Sequence, residues 1–283
     1  MFVEPLVFIP VDRWSELKSV LKSDWPRSIL GLLTLEKQEF LLKSGIEYGF
    51  KVYCPFGDIN NGMVALNIKN TYHDIIIQCP QDDTRKLEEA MRTTKIIDWR
   101  KCDQIPAVPR HVTDCVYRLY SENNLKIDPV GNLTIANTFV LDKDAPLYDA
   151  RLPPAFSFEF LTLDSIPLVN KTWPHKYPGS EFFFELLIKA KLGYGLYNGK
   201  ELLAWVFVRE IGALGHLYTL EKHRRKGYGG LVLKLISNIQ LKDNKYTVAY
   251  CAAYNTNAEN MYKKLGFKNL IALDWIDRLG EIE

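Results

Sequence analysis

The chain has 283 residues, 47% of them hydrophobic and 25% charged. That excludes a largely disordered chain and leaves room for one large domain or two of ordinary size. Lys+Arg 36 against Asp+Glu 34 leaves a net charge of +2, so no global field marks a nucleic-acid binder and any preference for anions has to be local.

Cys54, Cys79, Cys102, Cys115 and Cys251 are scattered and odd in number, and neither Cys-x-x-Cys nor HExxH occurs. A zinc ribbon and a thioredoxin-type site are therefore not supported, and no metal is expected. A reducing, intracellular compartment, the cytoplasm first, is the simplest expectation. The opening "MFVEPLVFIPVDRW" is broken by prolines and acids, which suits neither a secretory signal nor a transit peptide. No run approaches the length of a membrane span, so no membrane partner is expected.

In chain order, "DRWSELKSVLKSDW" and "RSILGLLTLEKQEFLLKSG" read as helices, the second closed by Gly45. "FKVYCPFG", "GMVALNIKN" and "HDIIIQCP" read as strands. "DDTRKLEEAMRTTK" reads as a helix with Asp at its cap, and "HVTDCVYRLYSENN" as another. Prolines then crowd "KDAPLYDARLPPAF", which places a domain boundary between 140 and 155. The two domains are accordingly 1–150 and 151–283.

The second half continues with strand "FSFEFLTL", helix "DSIPLVNKTW" behind Asp164 or Ser165, and helix "GSEFFFELLIKAK" capped by Ser180. "LGYGLYNGKELLAWVFVRE" reads as a hairpin turning at Asn198-Gly199. After strand "LGHLYTL" comes the loop "EKHRRKGYGG". The helix "LVLKLISNIQL" follows, with Leu231, Val232, Leu235, Ile236 and Ile239 on its apolar face. Strand "YTVAYCAAY", helix "NTNAENMYKKLG" and strand "FKNLIALDWI" close the chain. The order β-α-α-β-β-β-α-β-α-β makes an α/β fold of the α+β, mixed-sheet kind.

The loop sits between a strand and a helix N-terminus, where the first amides lack partners and the dipole is positive. Gly227, Gly229 and Gly230 let backbone approach a ligand closely, while Arg224, Arg225 and Lys226 add charge. Such a junction suits a pyrophosphate or similar anion. A solvated basic run, or a nucleic-acid patch using Tyr228, is the plainer alternative. GxxxxGK[ST] is absent, and GxGxxG fails because position 232 is Val.

Arg224, Gly227 and Gly229 form Arg-x-x-Gly-x-Gly, which resembles the coenzyme A pyrophosphate loop of the GNAT-type N-acyltransferase superfamily. One strand later, Asn255, Ala258, Tyr262, Lys264, Gly266 and Phe267 resemble that superfamily's second signature. The likeness covers residues 155–283. "LVNKTW" and "GHLYTLEKHRRKG" resemble, more narrowly, the glycine N-acyltransferase-like family. That resemblance implies an N-terminal α/β domain without a cofactor loop, a degenerate copy being one reading of it, ahead of the GNAT-type domain. It also allows a mitochondrial location.

The resemblance implies transfer of an acyl or acetyl group from coenzyme A to an amine, glycine or another amino acid first. The coenzyme A thioester and a small amine would be the partners, with no nucleic acid. Leu217, Tyr218 and Thr219 would position the thioester, together with Arg224, Arg225, Lys226, Gly227, Tyr228, Gly229, Gly230 and Asn255. Tyr262 is the candidate acid. Where the glycine N-acyltransferases carry Glu, this chain has Ala213, so His216 and Glu210 are the candidate bases. His216 and Ala213 share a face only if the strand bulges between them. Two further readings stay open: a coenzyme A-binding protein without catalysis, and an acetyltransferase for a protein N-terminus or an arylalkylamine.

Overall fold

The computed structural model describes residues 2–123, 125 and 133–277. Asn124, at the end of the fourth expected helix, and 278–283, the tail of the second expected domain, lie outside them. The chain divides into two compact units, one of Met1–Ala136 with Ile271–Glu283, the other of Asn137–Leu270. The division falls before the proline-rich stretch, and the closing strand is shared out to the first unit from Ile271 on.

The elements of the first half are β1 (Leu6–Phe8), α1 (Trp14–Ser23), α2 (Ile29–Lys43), β2 (Gly49–Pro55), β3 (Met63–Lys69) and β4 (Tyr72–Gln78). Then come α3 (Arg85–Thr93), β5 (Gln104–Val108), α4 (Arg110–Glu122) and β6 (Leu133–Leu141). The second half repeats the same succession. It has β7 (Phe156–Phe160), α5 (Ile166–Thr172), α6 (Glu181–Lys189), β8 (Gly193–Asn198), β9 (Glu201–Val208) and β10 (Leu214–Thr219). It ends with α7 (Tyr228–Lys242), β11 (Thr247–Ala252), α8 (Thr256–Lys264) and β12 (Lys268–Asp277).

Pairing repeats too. In the first unit β1 to β4 are successively antiparallel and β4 meets β5 in parallel at Asp74 and Gln104. In the second, β7 to β10 are successively antiparallel and β10 meets β11 in parallel at Leu214 and Ala249. A tandem copy of one mixed-sheet fold is the result. Each copy takes its last strand from the other half of the sequence. Asp274 and Ile276 of β12 pair with β5 in the first unit, and β6 lies beside β11 in the second.

Local chemistry explains most boundaries. Gly45, at φ +72°, ends α2. Its amide donates to the Leu42 carbonyl at 3.0 Å, and that of Ile46 donates to Leu41 at 2.9 Å, the paired bonds of a Schellman motif. "DIIIQC" is apolar without alternation because β4 is covered on both faces. Ile75 and Ile77 pack with Leu87 and Met91 of α3, while the neighbouring β3 turns Met63 toward Gly31 of α2.

Four details differ from expectation. The hairpin turn is Gly199-Lys200, one residue later, because Asn198 pairs with Glu201 and Gly199 supplies the positive φ of +56°. Ser180 stands at the α6 cap, but its hydroxyl donates to Asn170 Oδ1 at 2.6 Å instead of accepting from the helix. At α3 the carboxylate acceptor is Asp83, whose Oδ1 takes the Arg85 N–H at 3.0 Å, while Thr84 holds the cap position. The buried face of α7 is Val232, Leu233, Ile236, Ser237, Gln240 and Leu241. It is rotated from the expected stripe because two polar residues are covered with the apolar ones.

Among the described residues no helix is long and apolar enough to cross a membrane. All five cysteines are buried and unbridged.

Candidate active site

A cavity of about 1050 Å³ opens in the second unit. Its walls come from β10, the β10–α7 loop, the end of β11, the face of α8 and the segment after α5. The geometry of β10 creates the space. Between Gly215 and Tyr218 its register against β9 shifts by one residue, a bulge centred on His216 and Leu217. His216 takes a φ of +48° there, uncommon for a residue with a side chain. Beyond Leu214, β10 has no further register partner on β11, so the two strands part and leave a cleft at their ends.

At the loop end, Gly227 caps α7 at φ +82°. It supplies no side-chain cap, and the first turn carries no acid. The first helical hydrogen bond runs from the Leu231 N–H to the Gly227 carbonyl at 3.0 Å, which leaves the amides of Tyr228, Gly229 and Gly230 at the open helix end. A Cβ on Gly230 would meet nothing within 4 Å, and one on Gly229 would reach only Thr219 Oγ1 at an ordinary 3.5 Å. Packing within the protein thus requires no glycine at either position. Arg224 donates from Nε to the Thr219 carbonyl at 3.2 Å and lies over the Tyr218 ring at 5.2 Å.

The corresponding junction of the first unit is chemically opposite. Asp82 and Asp83 stand between β4 and α3, and Asp83 already accepts the Arg85 amide and side chain. Hydrogen bonds from Arg85 hold the Asp83 carboxyl down at about 2. Asp82 pairs with Arg27 at 2.5 Å. A helix end carrying its own carboxylates has no room for a phosphate.

Of the residues singled out from sequence, the lining includes His216, Leu217, Tyr218 and Thr219 of β10. It also includes Arg224, Arg225, Gly227, Tyr228, Gly229 and Gly230 of the loop and helix end. Asn255 and Tyr262 complete the set. Lys226 is not brought in; it is exposed outside the wall. Glu210 is not brought in either. It is completely buried in the β9–β10 connection, 3.6 Å from Arg209, away from the lining. Ala213 is also completely buried and outside the lining, its carbonyl accepting from the Arg209 amide at 2.8 Å.

Asn255 caps α8, its Oδ1 accepting from the Ala258 amide at 3.2 Å. That cap orients Tyr262, which stacks on Phe139 at 5.2 Å and packs against Phe267 at 5.4 Å. Burial pushes its phenol above the ordinary tyrosine value. Among the described residues its hydroxyl has no hydrogen-bond partner. Cys251 also lines the cavity; its thiol donates to the Asn255 carbonyl at 3.5 Å, and burial raises its pKa, which suits packing and not a nucleophile.

His216 sits in an aromatic enclosure, 5.5 Å from Phe184, 5.7 Å from Trp205 and 6.3 Å from Trp173, ring to ring. Neither ring nitrogen has a hydrogen-bond partner among the described residues. Burial, with His175 adding to it, drives its pKa down to about 3, so the imidazole is neutral at any physiological pH. The unfolded chain takes up this proton near pH 6.5 and the folded chain only near 3, so the related stability is complete above 6.5 and drains away below it. Between pH 7 and pH 4, urea melts of the wild type are expected to lose about 3 kcal/mol more than those of His216→Phe. Parallel losses in the two proteins would contradict that assignment.

Of the remaining wall, sequence reasoning had Trp173 as core or pocket wall and missed His175 after α5, Tyr250 on β11 and Tyr254 just beyond it. "TWPHKY" carried the only signal, aromatic and imidazole groups around a helix-stopping proline.

Residues 193–276 match the family model described as FR47-like protein. No curated protein matches the chain. Among solved structures, a Drosophila protein aligns with a TM-score of 0.84 at 21% identity, over 98% of this chain and 99% of its own. A tandem GNAT protein from the clavulanic acid biosynthesis pathway aligns with a TM-score of 0.54 at 12% identity, over 98% and 99%. An acetyltransferase of the GNAT family from Colwellia psychrerythraea gives 0.51 at 10%, over 97% and 99%. The doubled succession of elements described above is therefore a tandem GNAT-type fold, with the FR47-like match confined to the second half.

Proposed function

We propose that the protein is an acyl-CoA-dependent N-acyltransferase acting on the amine of a small molecule, with its site in the second unit. One observation carries this reading: free helix-end amides beside two glycines that face open cavity, under Arg224 and Arg225. Coenzyme A pyrophosphate fits that cradle, since it supplies the acceptor oxygens and negative charge that the helix end lacks. Glycine as acceptor is supported by the narrower resemblance alone. The buried, unbridged thiols support an intracellular site of action.

The chemistry follows from the residues around it. The bulged backbone of His216 and Leu217 is the assigned donor to the thioester oxygen as negative charge develops there. The amine attacks the thioester carbon; the C–N bond forms and the C–S bond breaks. Tyr262, kept protonated by burial, gives its proton to the departing sulfur and regains one from the amide nitrogen. With Ala213 buried and Glu210 away from the lining, the amine enters in its neutral form.

Tyr262→Phe is expected to lower kcat about 100-fold and leave the coenzyme A Kd in place. An unchanged kcat would remove Tyr262 as the acid. The whole reading is tested by titrating coenzyme A calorimetrically and following thiol release from acetyl-CoA over a panel of amines. Failure to bind coenzyme A overturns it. Binding without release with any amine favours the second reading, a coenzyme A-binding protein, which the buried Ala213 supports.

A further inference from the structure

Resting on the reading of Tyr262 as the acid, we infer that Tyr148 is its positioning residue. Through one hydrogen bond to the end of α8 it fixes where the Tyr262 phenol stands relative to the helix end that starts α7.

The need for such a tie comes from α8 itself. It has nine residues, and Tyr262 is the one among them that is buried. Helices in proteins are held mainly by an apolar face packed on the rest of the fold. Here the side chain that would have to anchor the helix is the one whose position decides proton transfer, so a second anchor is required. Phe139 and Phe267 fill the space around the ring, but apolar contact is not directional as a hydrogen bond is. At the first turn, the Asn255 cap fastens α8 only to its own chain, by accepting from the Ala258 amide. At the last turn the backbone closes on the acid: the amides of Leu265 and Phe267 both donate to the Tyr262 carbonyl at 3.1 Å. The Leu265 carbonyl lies past the end of the helix, where no intrahelical donor follows, and the Tyr148 hydroxyl donates to it.

Tyr148 is in turn held to α7. Its N–H donates to Asn238 Oδ1 at 2.8 Å, and its carbonyl accepts from Asn238 Nδ2 at 2.9 Å. One amide side chain thus occupies both backbone groups of Tyr148, as a neighbouring strand would. The stretch around Tyr148 runs antiparallel to α7. Lys143 donates to Asn244 Oδ1 at 3.4 Å just past the end of the helix, and Phe156 meets the Tyr228 ring at 5.6 Å at its start. Pro146, Pro153 and Pro154 lie in this stretch; each fixes its own φ, which lowers the entropy lost when the stretch is ordered. The tie therefore runs from α7 through Asn238, Tyr148 and Leu265 to Tyr262. It joins the helix assigned to the pyrophosphate to the residue assigned to the departing sulfur, and every member belongs to the second unit.

The test is a double-mutant cycle on the full chain. Tyr148→Phe keeps the ring and removes the hydroxyl alone. It is expected to lower kcat about tenfold, as a small misplacement of a reacting group does, with the coenzyme A Kd and the acceptor KM in place. In the Tyr262→Phe background the same substitution should leave kcat unchanged, since no acid remains to be placed. Amide hydrogen exchange reads the tie without catalysis: Leu265 and Phe267 should exchange about fivefold faster in Tyr148→Phe. An unchanged kcat in Tyr148→Phe, with Tyr262→Phe still impaired, overturns the inference and leaves the acid assignment standing. So does an equal loss in both backgrounds, the mark of a merely structural hydrogen bond, and so does unchanged exchange at Leu265 and Phe267. If Tyr262→Phe loses nothing, the acid reading falls and this inference with it.

Discussion

Chains ending at Leu270 are expected to lose the cooperative unfolding of the first unit. The missing strand is long in sequence from the rest of that unit but central to it. Ile276 is 2% exposed and belongs to the cluster built by Ile105, Val116 and Leu119. Leu273 is completely buried. Asp274 accepts from the buried Thr113 hydroxyl at 2.7 Å and pairs with Arg110 at 3.1 Å. Gln104 donates to Asp277 at 2.6 Å. Ile276→Ala alone should cost about 3 kcal/mol, and loss of Asp274 leaves the buried Thr113 hydroxyl only its long 3.4 Å bond to the Pro109 carbonyl, for about 1 kcal/mol more. Removing the strand removes both and strips β5 of its antiparallel neighbour, which together rival the whole stability of an ordinary domain, about 5–15 kcal/mol. Differential scanning calorimetry of the shortened chain reads this directly. A melt as large and sharp as that of the full chain would falsify the placement of β12.

The second large effect is expected at the cradle. The double variant Gly229→Ala, Gly230→Ala should bind coenzyme A about 100-fold more weakly and melt at the same temperature or slightly higher. The signs diverge for a structural reason. Both positions are helical and their added methyls meet open space or an ordinary contact, so the helix gains in propensity, up to about 1 kcal/mol per site. The ligand, in contrast, loses the close approach to the amides. Gly227→Ala serves as the contrast: at φ +82° it should cost about 1–2 kcal/mol of stability whatever binds. Unaltered coenzyme A affinity in the double variant would remove the pyrophosphate from this helix end.

How far all this could be read from sequence follows the range of the interactions. The loop was legible because its features are local: glycines, bases and a helix start within eight residues. The element succession of the second half was legible for the same reason. In the first half β1, β5 and β6 escaped notice; β1 has three residues, and Pro106 interrupts "QIPAV" in β5. The bulge at His216 could be named only as a condition, since parity along a strand depends on what its neighbour does. The burial of Glu210 and the position of Trp173 on the cavity wall were hidden for a related reason. A buried carboxylate beside Arg209 and a lining indole look alike in one dimension, and only the tertiary packing tells which one faces the cavity. The destination of β12 was the least legible, because nothing in "FKNLIALDWI" says that it pairs with β5.

The destination of that strand also sets a schedule. Synthesis runs from the N-terminus at about 5–20 residues per second, and the first unit waits for Ile271–Asp277 while everything from Asn137 to Leu270 is being made. The contiguous second unit can close as soon as it emerges. Its older neighbour meanwhile presents β5 as a bare edge, the kind of surface that invites wrong partners. On the ribosome, then, the half that is read first is finished last.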